Sequence, residues 1–241
     1  MNEVLSQLHA RKSVRAFLDR PIPPEARRAI LEAACAAPTA GNQQLYTILD
    51  ITDQQLKNTL ADTCDHQPFI AQAPLVLIFC ADCQKWYDAF AAGGCNPRKP
   101  GVGDLLLACS DANIAAQNAV TAAWSLGIGS CYIGDILEQV ETHRTLLRLP
   151  EYVVPAALLV FGYPTQQQER EKPRRRALEH IVHENAYRRM EPAELEAMLA
   201  DNAGARPYGA WLDAFCKRKY NSDFSREMSR SMAEYLKPFL P

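Results

Sequence analysis

The sequence predicts one large domain with a layered α/β or α+β architecture, followed by a helical extension at the C-terminus. Strand-like and helix-like segments alternate along the chain, with about five strands and six or more helices. Two segments, 74–80 and 155–163, are apolar throughout, as expected for strands that are buried on both faces. The chain has 241 residues, 48% of them hydrophobic, which is enough to build one sizeable core.

The first half of the chain opens with a helix over residues 3–10, because Val4, Leu5 and Leu8 fall on one helical face. Val14 and the residues after it favour an extended backbone. A cluster of prolines with Glu25 close behind begins a second helix, which runs to about Ala37. After a break at Pro38–Asn42, the pattern predicts a strand over 45–51, a helix over 53–64 and the buried strand 74–80.

The second half begins with a loop rich in glycine and proline over residues 91–103. The longest helix follows, from Asp104 to about Leu126, and alanines line much of its length. A central position in the fold is the simplest explanation of these small residues, and packing against a partner subunit is the alternative. Further elements are a strand at 130–134, a helix from Asp135 to Leu149, the strand 155–163 and a strand-like Ile181-Val182. In the C-terminal tail, the sequence pattern predicts three helices, over 191–201, 207–219 and 223–237.

Composition narrows the possible classes of function. The net charge of −2 argues against a general nucleic-acid binder, and no apolar run reaches the roughly 20 residues that a membrane span requires. The N-terminus lacks the pattern of a secretory signal, so we expect a cytoplasmic protein. Eight cysteines do not form a disulfide framework, and Cys80 and Cys83, which have a CxxC spacing, are expected to be buried thiols.

Arg11-Lys12-Ser13-Val14-Arg15 is the most suggestive polar stretch. In an extended backbone Arg11, Ser13 and Arg15 project to one side. Two guanidinium groups flanking a hydroxyl suit a phosphate, because arginine donates to phosphate oxygens in a fixed fork. A solvated surface turn is the alternative interpretation of such a stretch.

Several common motifs are missing. The chain has no GxGxxG, no P-loop and no GxSxG, and its His180-Ile181-Val182-His183 is not an HExxH zinc motif. No metal site is therefore predicted.

Six segments in order resemble the flavin-dependent nitroreductase family, over about residues 3–188. They include Arg11–Arg15, the loop Ala37–Gln44, and Gln67 with the segment before the second strand. Gly127–Gly134 is close to the G-L-G-x-x-Y-I-G of the oxygen-insensitive, NADPH-flavin oxidoreductase branch. Phe161–Pro164 and Lys172–Arg174 complete the set.

This resemblance implies an α+β fold in three α-β-α layers, with a mixed sheet flanked by helices, and an intertwined homodimer that binds two FMN molecules at its interface. Residues 1–188 would form the FMN-binding domain, and residues 189–241 a helical extension that packs on the partner subunit. Close packing between subunits would also account for the alanine-rich helix.

The resemblance also implies the cofactor contacts. The FMN phosphate would be bound by Arg11 and Ser13 with Lys172 and Arg174, while Lys12 lies in the same motif. Arg15 and Gln67 would lie at the pyrimidine edge of the flavin. The remaining contacts would come from one loop of the other subunit and from one strand end: Pro38, Thr39, Ala40, Asn42 and Gln44, and Tyr132, Ile133, Gly134 and Asp135. Arg175 and Arg176 are expected to form a solvated basic turn.

The implied activity is hydride transfer from NADPH or NADH to FMN, followed by reduction of a nitroaromatic, a quinone or a free flavin in a ping-pong reaction. No catalytic residue of the protein is named, because the cofactor carries the chemistry. A non-catalytic FMN sensor or store remains an alternative, as does a reductive dehalogenase-like or flavin-cleaving enzyme. Lys12 replaces the usual His or Arg, Asp135 stands where glycine is common, and no 2′-phosphate-reading arginine is evident, so NADPH and NADH both stay open as donors.

Overall fold

The computed structural model describes residues 1–165, 172 and 175–241. The chain divides into two compact units, Met1–Arg170 with Glu227–Pro241, and Glu171–Arg226. The last residues of the expected extension thus fold within the first unit of their own chain. The division at residue 188 and the packing of the extension on a partner stay predictions.

The first unit contains seven α-helices and four strands within the described residues. In chain order these are α1 (Glu3–Ala10), α2 (Pro24–Cys35), β1 (Tyr46–Asp50), α3 (Gln54–Thr63), α4 (Phe69–Gln72), β2 (Leu75–Asp82), α5 (Gln84–Ala92), α6 (Val102–Ser125), β3 (Gly129–Ile133), α7 (Val140–Leu146) and β4 (Val153–Gly162). The tail adds α8 (Pro192–Leu199), α9 (Tyr208–Lys219) and α10 (Asp223–Leu236), which ends in the first unit.

The four strands form one sheet in the order β1-β2-β4-β3, and every neighbouring pair is antiparallel. All eight residues of β2 are buried, as their continuous apolar pattern predicts. The strands β1 and β3 are the edges of this sheet. Helices packed on the sheet produce the expected α+β fold. The named strands pair only antiparallel within the described residues, and a parallel pairing occurs beside the sheet as an isolated bridge between Ser13 and Ser130.

Helix α6 lies at the centre of the packing. Its alanines, such as Ala112 and Ala116, are fully buried in a cluster with Ile30 and Ala34 of α2 and with Phe79 of β2. The small side chains therefore allow close packing inside the chain. The expected central position of this helix is confirmed, and the fully buried alanines are not available for contacts between subunits.

Three other expectations differ from the structure. Ile181 and Val182 are not a strand: they follow a 3-10 turn at Leu178–His180 and are 66% and 64% exposed. The helix expected from Asp135 to Leu149 is divided into a 3-10 turn at Gly134–Leu137 and α7. Helix α5, which precedes the glycine-rich loop, was not predicted. Within the described part of the chain, no helix is both long and apolar enough to cross a membrane.

Candidate functional site

The segment that carries Arg11, Ser13 and Arg15 is extended and lies along the edge strand β3. The Val14 N–H donates to the Ser130 carbonyl oxygen at 2.9 Å. A few residues later, the Leu18 N–H donates to the Tyr163 carbonyl oxygen at 2.8 Å, beyond the end of β4. The segment is thus attached to the sheet at both of its ends.

Two glycines allow this close approach. A Cβ atom at Gly129 would lie 2.4 Å from Cγ2 of Val14, whose side chain is fully buried. A Cβ atom at Gly162 would lie 2.6 Å from a ring carbon of Phe17. Such distances exclude any side chain at either position unless its neighbours move. Val14 therefore faces the sheet, and the residues that flank it face the other way.

The three polar side chains of the segment lie close enough to Cys131 in β3 to influence its thiol. Burial raises the pKa of the Cys131 thiol, while Arg15, Ser13 and Arg11 all interact with this thiol and oppose the rise. The guanidinium carbon of Arg11 also lies 5.9 Å from the centroid of the Tyr132 ring. The structure therefore places two cationic groups and a hydroxyl beside β3, at the edge of the sheet.

The end of β3 adds a second group of predicted residues. Two hydrogen bonds orient the side-chain amide of Gln67. It donates to the Cys64 carbonyl oxygen at 2.8 Å and to Oδ2 of Asp135 at 3.0 Å. Between β3 and Asp135, Gly134 is exposed, and a Cβ atom there would meet no heavy atom within 4 Å. Open space therefore lies beside the backbone at this point.

Acidic residues surround this second group. Glu138 is 8% exposed, and its Oε1 atom has no hydrogen-bond partner within the described residues. Burial raises the pKa of Glu138 to about 7, and the nearby charges of Asp135, Asp65 and Glu227 add to the rise. A buried carboxyl group that holds its proton near neutral pH therefore lies close to the pair formed by Gln67 and Asp135.

The C-terminal helix α10 holds the start of α7, which follows this turn. Oε1 of Glu227 accepts from the Gln139 N–H at 3.1 Å, and the Ser231 hydroxyl oxygen accepts from the Val140 N–H at 3.1 Å. Arg230 then donates to both carboxylate oxygens of Glu141 at 2.8 and 2.9 Å. The bonds to Glu227 and Ser231 satisfy backbone N–H groups that the start of a helix leaves without a partner.

The loop before β1 contains the remaining predicted contacts and is organised by Asp111, which sequence reasoning missed. Asp111 is buried in α6 and accepts from the Thr39 hydroxyl, from the Ala40 N–H at 3.0 Å and from the Leu45 N–H at 3.2 Å. The Gln44 N–H donates to Thr39 Oγ1 at 2.8 Å. The sequence signal that could have identified Asp111 is that an acidic residue stands alone on the alanine-rich face of α6.

Pro38 and Asn42 are exposed in the same loop. Asn42 and Gln44 have φ angles of 56° and 50°, in the left-handed region that few residues other than glycine adopt. Asp111 therefore holds a loop with a demanding backbone conformation.

The Thr39 loop and the Arg11–Arg15 segment lie at opposite edges of the sheet. The loop that carries Thr39 leads into β1, whereas Arg11–Arg15 lies along β3. With two strands in between and neighbours about 4.8 Å apart, the edges are separated by roughly 14 Å. Lys172 belongs to the second unit, and Arg174 lies outside the described residues.

The cysteines and histidines singled out in the sequence form no site in the described part of the chain. Burial raises the pKa of both Cys80 and Cys83 to about 12, so neither thiol ionises readily. Among the described residues, no group of three or more His, Cys, Asp or Glu side chains is arranged to hold a metal ion.

Comparisons with known proteins bear on this arrangement. The model of the Nitroreductase family matches residues 8–163. An FMN reductase [NAD(P)H] of Bacillus subtilis is 31% identical over 98% of this chain and 91% of its own length. An oxygen-insensitive NADPH nitroreductase of Salmonella typhimurium is 36% identical over 78% of this chain and 75% of its own length.

Among solved structures, the NADPH:FMN oxidoreductase from Vibrio harveyi complexed with NAD+ has a TM-score of 0.78 and 25% identity, and the match covers 99% of both chains. The family model spans more than half of the sequence, and the full-length relative exceeds 30% identity. The chain belongs to the Nitroreductase family.

Proposed function

We propose that this protein is an FMN-dependent oxidoreductase that takes hydride from NAD(P)H and reduces nitroaromatics, quinones or flavins by a ping-pong reaction. The observation that carries the proposal is the position of Arg11, Ser13 and Arg15 together beside β3, in one of the six segments that resemble the family. The names of its relatives, an FMN reductase and an NADPH nitroreductase, support the same activity.

The residues present fit FMN. Arg11 and Ser13 supply a guanidinium group and a hydroxyl beside β3, a donor pair suited to a phosphate, and Arg15 supplies a second cation on the same segment. The open space beside Gly134 leaves room for a flat ring system to approach the backbone.

The roles of the residues follow from this fit. Arg11 and Ser13 hold the phosphate, joined in this proposal by Lys172 and Arg174. Arg15 and Gln67 bind the pyrimidine edge, where a cation stabilises negative charge. When it is bound, FMN supplies the hydride acceptor and returns two electrons to the second substrate.

Around the ring, Asp135 orients the Gln67 amide, and the backbone at Ile133 and Gly134 supplies hydrogen bonds. No side chain of the protein is required as a catalytic acid or base in the first half-reaction.

A homodimer is part of the proposal. The Thr39 loop and the Arg11 segment lie at opposite sheet edges, and in this proposal they contact one flavin from different chains. Helix α1 has no buried residue, and its apolar Val4, Leu5 and Leu8 are 61%, 46% and 47% exposed. A face of this kind is suited to burial against a second copy. Light scattering tests this point: a dimer is expected, and an FMN-loaded monomer contradicts it.

The activity is tested by mixing the purified protein, loaded with FMN, with NADPH or NADH under nitrogen. We expect the yellow colour to bleach within seconds and to return when a nitroaromatic or a quinone is added. A protein that retains FMN but bleaches with neither nucleotide is a sensor or store. A protein whose addition leaves the FMN spectrum unchanged contradicts the cofactor assignment.

The same experiment compares the two donors, since the rate of bleaching with each nucleotide gives the preference directly. A cytoplasmic location belongs to this proposal, because NAD(P)H is a cytoplasmic reductant.

A further inference from the structure

A cavity of about 580 Å³ lies between the segment 17–22, helix α3 and the residues that join α4 to β2. None of the described residues predicted to contact FMN lines it. Its volume lies within the range of small-molecule sites. The polar residues of its lining are Asp19, Arg20, Gln54, Lys57 and Gln72.

Lys57 is the most unusual of these residues, because it is buried and has no carboxylate partner in the described part of the chain. It is 8% exposed, and its Nζ atom donates to the Ala73 carbonyl oxygen at 3.0 Å. An ammonium group carries three N–H donors, so this bond leaves two of them without a described protein acceptor. Burial lowers the pKa of Lys57, and no nearby acidic group opposes the shift. Buried charges in proteins are usually paired, so an anion from outside the chain would satisfy this one.

Arg20 supplies a second cation to the same cavity. Its guanidinium carbon lies 3.9 Å from the centroid of the Tyr163 ring, and it forms no ion pair with the described residues. The Arg20 N–H donates to the Leu18 carbonyl oxygen at 2.8 Å, which fixes the backbone at this point. Stacking on a ring orients the guanidinium group and leaves the donors at its edge available to an anion.

The lining has one positive charge in excess. Asp19 is its acidic residue, and it is exposed. The pKa of Lys57 shows no effect of this carboxylate. Two cations and one carboxylate therefore match a ligand with a single negative charge better than a phosphate dianion.

The apolar part of the lining is fixed in place. A Cβ atom at Gly162 would lie 2.6 Å from a ring carbon of Phe17 and 2.9 Å from Cδ of Pro74, so both side chains pack directly against the backbone of β4. The Gln54 amide, on another wall, donates to the Ala71 carbonyl oxygen at 3.0 Å. A ligand that meets walls formed in advance loses less free energy in ordering them.

We propose that this cavity binds a small organic monocarboxylate. Its carboxylate is bound at the Lys57 ammonium group, and its apolar part lies against Phe17 and Pro74. Arg20 raises the positive potential of the cavity. The inference does not rest on the proposed function, because the cavity shares no described residue with the predicted FMN contacts.

Ligand-observed saturation-transfer NMR with the full-length, FMN-loaded protein tests the proposal. The probe is hexanoate, and hexanamide is its neutral match. We expect hexanoate to bind about tenfold more tightly or better, because the amide lacks the charge that Lys57 requires. Equal binding of the two, or no binding of hexanoate, overturns the proposal. Inorganic phosphate that displaces hexanoate at a lower concentration than hexanoate itself requires would show a phosphate site and overturn the assignment of the ligand.

Matched variants locate the binding. Lys57→Met removes the ammonium group but keeps a long side chain, and it is expected to weaken hexanoate binding about tenfold or more. Lys99→Met removes the same charge from an exposed residue outside the lining and should bind hexanoate as the wild type does. Wild-type affinity in Lys57→Met would show that hexanoate binds elsewhere. If Lys57→Met does not fold, Arg20→Gln at an exposed residue replaces it, with a severalfold loss expected and an unchanged affinity contradicting the site.

Urea unfolding gives a second measurement. A ligand that binds the folded state alone stabilises it, so saturating hexanoate should raise the urea midpoint of the wild type and of Lys99→Met, but not that of Lys57→Met. Equal rises in all three proteins, or none in the wild type, would contradict binding at Lys57.

The bleaching experiment on the same preparation separates this inference from the proposed activity. Bleaching without hexanoate binding rejects the monocarboxylate site alone, and hexanoate binding without bleaching rejects the activity alone.

Discussion

Replacing Gly129 by alanine tests how the segment 11–15 is attached to the sheet. The added Cβ atom would lie 2.4 Å from Cγ2, 2.7 Å from Cβ and 3.0 Å from Cγ1 of Val14. Both residues are buried, so the contact is relieved only by moving the segment or distorting β3. Overpacking of this kind costs about 1–3 kcal/mol, and we expect that loss in the free energy of unfolding measured with urea. FMN affinity should fall with it, because Arg11 and Arg15 move with the segment.

Two further variants make this test specific. Gly103→Ala, in α6, adds a methyl group with no heavy atom within 4 Å and should leave stability unchanged or slightly higher, because alanine favours helix. Val14→Ala in the Gly129→Ala background removes the Cγ contacts but leaves the 2.7 Å contact, so partial recovery is expected. If Gly129→Ala unfolds at the wild-type urea concentration and binds FMN equally well, the proposed attachment is wrong.

Three other substitutions address separate parts of the site. Arg11→Ala should lower FMN affinity tenfold to a hundredfold in a fluorescence titration, because it removes a contact worth about 1.5–3 kcal/mol. The control Arg28→Ala, on the exposed face of α2, should leave FMN affinity unchanged. Equal FMN affinity in both variants would refute the phosphate contact. Asp111→Ala leaves the Ala40 and Leu45 N–H groups without their acceptor. Hydrogen exchange in residues 38–45 should therefore accelerate. Unchanged protection of these amides would show that Asp111 does not hold the loop. Glu138→Gln tests the raised pKa, about 7 in the folded protein. The folded state binds this proton more tightly than the unfolded state, so its contribution to stability, up to about 3 kcal/mol, is lost as pH rises from about 4.5 to about 7. The variant should therefore lose less stability than the wild type between about pH 5 and about pH 8 in urea unfolding, and parallel losses would contradict the assignment.

Local patterns in the sequence predicted much of the fold because the physical signals were local. The apolar run that became β2 is buried at every residue, and the proline entry at Pro24 begins α2. Ile181-Val182 shows the limit of such signals. Two β-branched residues favour an extended backbone, but no strand among the described residues pairs with them, and they remain exposed.

The candidate site depends on relations that are distant in sequence. The motif predicted that Arg11, Ser13 and Arg15 act together, and the structure places all three beside β3, near Cys131. The role of Asp111 depends on a contact with Thr39 across 72 positions of the chain. Such a contact follows from tertiary packing and not from any local pattern. The order of strands, which places the Thr39 loop and the Arg11–Arg15 segment at opposite edges of the sheet, also depends on contacts between distant parts of the sequence.

A mixed-chain experiment tests the central claim most directly, namely that each FMN site combines the Arg11 segment of one chain with the Thr39 loop of another. Arg11→Ala and Asp111→Ala chains are purified alone and also co-expressed with different tags, so that the mixed dimer is isolated, with folding checked by circular dichroism. Each parent damages both sites of its dimer, whereas the mixed dimer carries both defects in one site and leaves the other intact. We predict that the mixed dimer retains about half of the wild-type FMN through dialysis. A mixed dimer that loses FMN as completely as either parent would contradict a site shared between chains.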